Sequence, residues 1–502
     1  MPMINDSPPA VSCEQGLLAG TRNDGVDAFH DIPYAADLGA ARRFSLPEPP
    51  VAWLGVRDAS CAGPVFPQTP SRLTVVMGTT PGFNLQSEDA FRLNIWTPSR
   101  DWAAREGPRE GLPVLVWVHG GGWLTGGAPL AWYHGDSLAR SGRAIVVGVN
   151  YRLGALGNLY LPGQTTGSMA LHDLRAALRW INSNIAAFGG DASRITLCGQ
   201  SAGAWYSAAL SAWGEASDLF AQMILLSFPG SIAPALPDDA AALAQHYCGL
   251  LDLPADVEAL RRLPVQKLLE GQQALARARP VFADIPETFL PLRSDELPAD
   301  LIAAVAARSS RMPFLVGTLP DEMGAFFSHD KAVLEAGDPE ASKRFETALG
   351  EDGAVIYERR RHQRPEAGPY EHLLQFVSDR IFREPTRRLA DALASQGGRC
   401  FMYEFAWRSK VDRVGACHCL DLPFLFDNFE DWPDAAMLRD LDVGAARVVA
   451  HAFQSAVLNF VERGDPNGSG VPVWPEYFAD SRQALLFDKT PRVDSFHVQS
   501  YA

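Results

Sequence analysis

The sequence predicts an α/β fold, a mostly parallel central sheet with helices on both faces. Three observations carry this. Short apolar runs alternate with longer patterns of helical period, as expected when buried parallel strands are joined by crossover helices. One run leads into Gly199-Gln200-Ser201-Ala202-Gly203 and then directly into an Ala-rich helix. Another leads into Gly120-Gly121-Gly122.

Taken in order, the strands are expected over 112–118, 144–149, 195–198, 222–227, 314–317 and 400–406. A crossover helix is expected over 170–185, and a second helix over 202–213. Two stretches of about 80 residues, near 231–310 and 328–398, are rich in Ala, Leu and charge. They read as helical insertions that wall the active site. No Pro/Gly/Ser linker divides the chain, so 1–502 is expected to form one domain.

Composition limits the function. A net charge of −15 argues against nucleic acid as a partner. No run reaches about 18 apolar residues, the length needed to cross a membrane. The first residues lack the basic and apolar regions of a secretory signal. Seven scattered cysteines, an odd number, fit a reducing cytoplasm better than a disulfide framework. Metal and nucleotide motifs are missing, and no cofactor is expected.

A Gly-x-Ser-x-Gly between a strand and a helix is the nucleophile elbow of α/β-hydrolases. The turn is so tight that the residues two before and two after the serine must be very small. Ser201 is therefore the candidate nucleophile. The Gly120-Gly121-Gly122 run lets backbone N–H groups approach a ligand without side chains intervening, so Gly121 and Gly122 are expected to form an oxyanion hole with Ala202. A serine needs a base, and the base needs an orienting acid, in chain order Ser, acid, His. After the strand at 314–317 come Asp321 and Glu322; after that at 400–406 comes His418. Either acid suits the role on pattern alone. Cys417 and Cys419 flank His418 without a further ligand cluster, which favours packing over metal binding.

Together with these, Asp31-Ile32-Pro33-Tyr34, Ser87-Glu88-Asp89, Asn150-Tyr151-Arg152, Phe188-Gly189-Gly190-Asp191 and Gly464-Asp465-Pro466-Asn467 resemble motifs of the type-B carboxylesterase (carboxylesterase/cholinesterase) family. The bacterial p-nitrobenzyl esterases are the members resembled most. The resemblance covers nearly the whole chain. It implies an α/β-hydrolase fold, with helical insertions around the active site, and a serine hydrolase that cleaves small-molecule carboxylic esters through an acyl-enzyme. It implies Ser201 as nucleophile, Glu322 as acid and His418 as base, with Ser227 buttressing the acid. Arg43 with Glu88, and Arg152 with Asp173, are implied as structural ion pairs.

The departures are informative. Ala90 and Phe66 stand where extracellular members carry a disulfide. Gln200 stands where many members carry Glu, so neutral, moderately apolar or aryl esters are expected rather than choline esters. Trp205, Tyr206, Met323 and Asp421 also depart from the usual residues. Trp123, Trp205 and Phe326 are expected to line the substrate pocket. An amidase or carbamate hydrolase using the same triad is the alternative. A non-catalytic cholinesterase-like binding protein is more remote, since all three triad residue types are present. Oligomeric state is left open.

Overall fold

The computed structural model describes residues 8–80, 85–99, 111–309 and 311–498. Its strands are β1 (Ala10–Cys13), β2 (Gly16–Ala19), β3 (Thr21–Asn23), β4 (Val26–Pro33), β5 (Val56–Asp58), β6 (Arg92–Pro98) and β7 (Leu112–Val118). They continue with β8 (Ile145–Val149), β9 (Gly190–Gln200), β10 (Gln222–Leu226), β11 (Phe314–Thr318), β12 (Cys400–Phe405), β13 (Gln483–Phe487) and β14 (Arg492–Ser495). Eleven of them form one sheet in the order β14-β13-β12-β11-β10-β9-β7-β8-β6-β4-β3, and β1-β2-β5 form a small one. Pairing is parallel from β8 across to β13. It turns antiparallel at both margins.

The six predicted strands are all in the parallel part. Buried on both faces, they read as continuous apolar runs; every residue of β8 and β10 is buried. Their side chains alternate between two cores: Val114, Val116 and Val118 of β7 enter one, and Leu115 and Trp117 the other. β9 begins earlier than its apolar run, at Gly190, with a register shift between Leu112 and Val114 of its partner. Pro113 lies at that shift, where a residue without an N–H cannot join the ladder.

Helix Met169–Asn184 places Leu171, Leu174, Leu178 and Ile181 against the sheet at three- and four-residue spacing. Helix Ala202–Ala212 is buried along its whole length, which explains its uniformly small, apolar sequence. The stretch at 328–398 is helical nearly throughout. That at 231–310 is helical only in part: Pro237–Leu250, Val257–Arg261, Val265–Ala278 and Leu301–Ser309 form, but 279–300 is irregular. Pro280, Pro286, Pro291 and Pro298 remove the N–H donors a helix would need there.

The two buried ion pairs are present. Arg43 Nε donates to Glu88 at 2.5 Å, and Arg152 Nη2 to Asp173 at 2.7 Å. Both arginines also donate to backbone carbonyls, of Leu260 and Ser45 respectively, so they tie separate loops together.

Candidate active site

Ser201 closes β9 and opens helix Ala202–Ala212 with φ 55° and ψ −124°. A non-glycine residue is strained at positive φ, and such strain persists only where the surroundings impose it. Here they do. Ser201 N–H donates to Leu226 O on β10 at 2.9 Å. A Cβ on Gly199 would lie 2.3 Å from Gly203 O, and one on Gly203 would lie 2.0 Å from Val118 O. Both glycines are thus required by close backbone packing. The turn leaves Ser201 buried but 9% exposed, facing the positive end of a helix dipole.

The glycine loop runs directly against this turn. A Cβ on Gly120 would meet Gln200 Oε1 at 2.4 Å and Ser201 Cβ at 3.0 Å. Gly121 and Gly122 adopt φ 118° and 60°, and a Cβ on Gly121 would sit 2.0 Å from Thr125 O. Among the described residues, the N–H groups of Gly121, Gly122 and Ala202 donate to no backbone carbonyl, so all three remain free to donate. His119, stacked on Tyr151 at 4.4 Å, anchors the loop through Nδ1 and Gly120 O, 2.8 Å apart. Burial pushes the His119 pKa down to about 4, so it packs as a neutral ring.

The loops after β11 and β12 bring Glu322 and His418 together. His418 Nδ1 lies 2.6 Å from Glu322 Oε2, and His418 N–H donates to Glu322 O at 3.1 Å. Glu322 Oε1 accepts from Leu319 N–H at 3.0 Å. Asp321 faces the other way, bonded to Ala416 N–H at 2.9 Å and to Arg408 at 2.7 Å. Of the two acids, Glu322 is the one in contact with His418. Gly324 and Gly415 allow the two loops to touch, since added Cβ atoms would meet Val414 O at 2.1 Å and Asp321 Oδ2 at 2.5 Å.

His418 Nε2 faces the side-chain amide of Gln200 at 3.2 Å. Among the described residues Ser201 Oγ has no hydrogen-bond partner. Such contacts often form only once a substrate is bound. Ser227 Oγ, buried at a φ of 50°, makes no hydrogen bond to Glu322, whose oxygens are taken by Leu319 and His418. The buttressing expected of Ser227 is thus absent.

Burial disfavours a charged His418, but Cys419 and Glu322 outweigh it and hold the imidazole pKa well above the ordinary histidine range. A base must be neutral, and a raised pKa keeps it protonated to higher pH. The acidic limb of kcat/KM is therefore expected at a pH above about 6.5, the value for an unperturbed histidine. A limb at or below that pH in a p-nitrophenyl acetate assay would contradict the electrostatics.

Of the aromatic residues expected in the pocket, Phe326 is partly open, with its ring 5.6 Å from His418. Trp123 and Trp205 form an edge-to-face pair at 6.0 Å, and both are buried, with the Trp205 indole N–H donating to Ile232 O. Sequence reasoning missed Phe382, a buried residue whose ring lies 4.8 Å from His418. A π-helical turn, Asp379–Arg383, interrupts the helices around it and aims it there. The preceding Ser378 accepts from Met323 N–H at 3.0 Å, tying this insertion to the acid loop.

The carboxylesterase family model matches residues 7–501. A phenmedipham hydrolase from Pseudarthrobacter oxydans is 33% identical over 483 residues, covering 95% of this chain and 94% of that protein. A para-nitrobenzyl esterase from Bacillus subtilis (strain 168) is 31% identical over 495 residues, covering 97% and 96%. Among solved structures, the Geobacillus stearothermophilus carboxylesterase EST55 superposes with a TM-score of 0.83 at 32% identity, covering 97% of each chain.

Proposed function

The chain belongs to the carboxylesterase family and hydrolyses carboxylic esters, and we propose that Ser201, Glu322 and His418 carry the reaction. The observation that carries this reading is the buried contact of 2.6 Å between His418 Nδ1 and Glu322 Oε2, built beside a strained, helix-opening serine. Glu322 fixes the tautomer with its proton on Nδ1, leaving the Nε2 lone pair to act as base. Ser201 Oγ attacks the ester carbonyl as His418 Nε2 takes its proton. The oxyanion is held by the N–H groups of Gly121, Gly122 and Ala202. The alcohol leaves with the proton from His418, and water repeats the sequence on the acyl-enzyme.

A phosphonofluoridate tests the assignment, since it is attacked by an activated serine and leaves a stable adduct. One equivalent on the peptide containing Ser201, with complete loss of activity, is expected. Inactivation with the label elsewhere would remove Ser201 from its role.

Neutral, moderately apolar or aryl esters are the substrates this site suits. Gln200 places an amide, not a carboxylate, beside the base, while Phe326 offers partly open apolar surface next to it. The neutral ester 3,3-dimethylbutyl butyrate is expected to match or exceed butyrylcholine in kcat/KM. A tenfold preference for the choline ester, about 1.4 kcal/mol, would require a cation site elsewhere. Amides and carbamates belong in the same panel, because the triad chemistry is common to all three and one relative is named a phenmedipham hydrolase.

We read the whole chain as one domain around a continuous sheet, with a cytoplasmic location. All seven cysteines are unpaired, and among the described residues no helix is long and apolar enough to cross a membrane.

A further inference from the structure

We propose that Gln200 is a positioning residue for the base: its side-chain amide holds the neutral Nε2 of His418 in the resting site and releases it to Ser201 when an ester enters. The proposal rests on the reading of His418 as base and goes beyond it. Three contacts confine the amide. Its nitrogen lies 3.2 Å from His418 Nε2 and 3.3 Å from Cys419 Sγ, and its oxygen lies against Gly120, where a Cβ would approach to 2.4 Å.

An amide nitrogen carries two hydrogens and no available lone pair. Donating one to Nε2 requires that nitrogen to be unprotonated, with its proton on Nδ1 toward Glu322. This is the base-competent tautomer. The second hydrogen goes to Cys419 Sγ, and Cys419 adopts φ 71°, a conformation rare outside glycine, where its sulfur can accept it. A carboxylate at position 200 could do neither. It only accepts, so it would favour a protonated Nε2 and raise the pH at which the base becomes neutral.

The amide works against its surroundings. Glu322 faces the imidazole from the loop after β11, and Cys419 interacts with it from its own loop. Asp421, on the same loop, is bonded to Tyr403 of β12 and lies near Cys198 of β9; burial pushes its carboxyl up to about 7. Cys417 and Tyr133 lie near Cys419, and Arg72 lies over the ring of Phe326 at 5.4 Å. The anionic members of this set favour imidazolium. A donor on Nε2 favours the neutral ring and thereby lowers the pH at which the enzyme becomes active.

The experiment is the pH dependence of kcat/KM for p-nitrophenyl acetate in the wild type, Gln200→Met and Gln200→Glu, with His418→Ala alongside. Removing the donor is expected to move the acidic limb upward by about half a pH unit or more, a threefold rise in proton affinity. Gln200→Glu is expected to move it further. A residue that only filled space would leave the limb in place once the variant folds. Gln200→Glu adds a charge that raises the limb by itself, so the neutral Gln200→Leu, which also lacks the donor, takes the place of Gln200→Met if that variant is unstable. An unmoved or lowered limb in the folded variants overturns the proposal, while an active His418→Ala overturns the assignment of the base on which it rests.

Discussion

Ser201→Ala is expected to lose between about 10⁴ and 10⁶ of the turnover of p-nitrophenyl acetate while keeping its fold. The size of the loss follows from the chemistry. With no nucleophile the acyl-enzyme cannot form, and only the oxyanion donors and binding contacts remain to accelerate attack by water. The preservation of the fold follows from the site. Ser201 Oγ has no hydrogen-bond partner among the described residues, so its removal strands no buried donor or acceptor. Alanine at φ 55° carries the same backbone strain as serine, so the elbow neither gains nor loses on that account. The unfolding free energy should therefore stay within the range of a neutral substitution, about ±0.5 kcal/mol. Near-native activity in the variant would end the serine-hydrolase assignment. An unfolded variant would mean that the hydroxyl supports the turn in a way these contacts do not account for.

What could be read from the sequence follows the physics of burial. The central strands are covered on both faces over most of their length and appear as apolar runs, so the loops that carry Ser201 and Gly120-Gly121-Gly122 were legible at once. The antiparallel margins were not. β3 is Thr-Arg-Asn and β14 is Arg-Val-Asp-Ser, sequences whose pairing is decided by neighbouring strands and not by their own composition. Within the site, Asp321 and Glu322 are adjacent acids on one loop, and nothing local distinguishes them. The distinction comes from the other loop, where Ala416 and Arg408 claim Asp321 and leave Glu322 facing His418. Phe382 lies 36 residues before the histidine it packs against, in an insertion whose helical pattern conceals the π-helical turn that aims it. The only signal was a pair of residues, Glu384-Pro385, that disturbs helical hydrogen bonding just after it.

Glu322→Gln is the sharper test of the assembly, because it changes one atom and keeps the shape. The carboxylate serves two donors at once, Leu319 N–H on Oε1 and His418 Nδ1–H on Oε2. A glutamine has one acceptor oxygen and one donor nitrogen, so it cannot serve both. If its oxygen stays with Leu319, its NH₂ faces Nδ1 and forces the imidazole into the tautomer with its proton on Nε2. That nitrogen can then no longer take the proton of Ser201. If its oxygen turns to His418, the NH₂ meets Leu319 N–H in a fully buried place, at a cost of about 1–3 kcal/mol for the unmet donor. Either way the imidazolium formed during attack loses the charge that stabilised it. A loss in kcat of about 10⁴ is expected, the scale seen when the acid of such a triad becomes its amide. The acidic limb should also fall, because of the two groups that raise it, Cys419 and Glu322, the second no longer carries a charge. Asp321→Asn is the matched control: its partners are Ala416 and Arg408, so it should weaken the join between the loops and lose far less activity. A Glu322→Gln enzyme within tenfold of the wild type, or an Asp321→Asn enzyme that fails as badly, would show that the acid has been placed on the wrong residue.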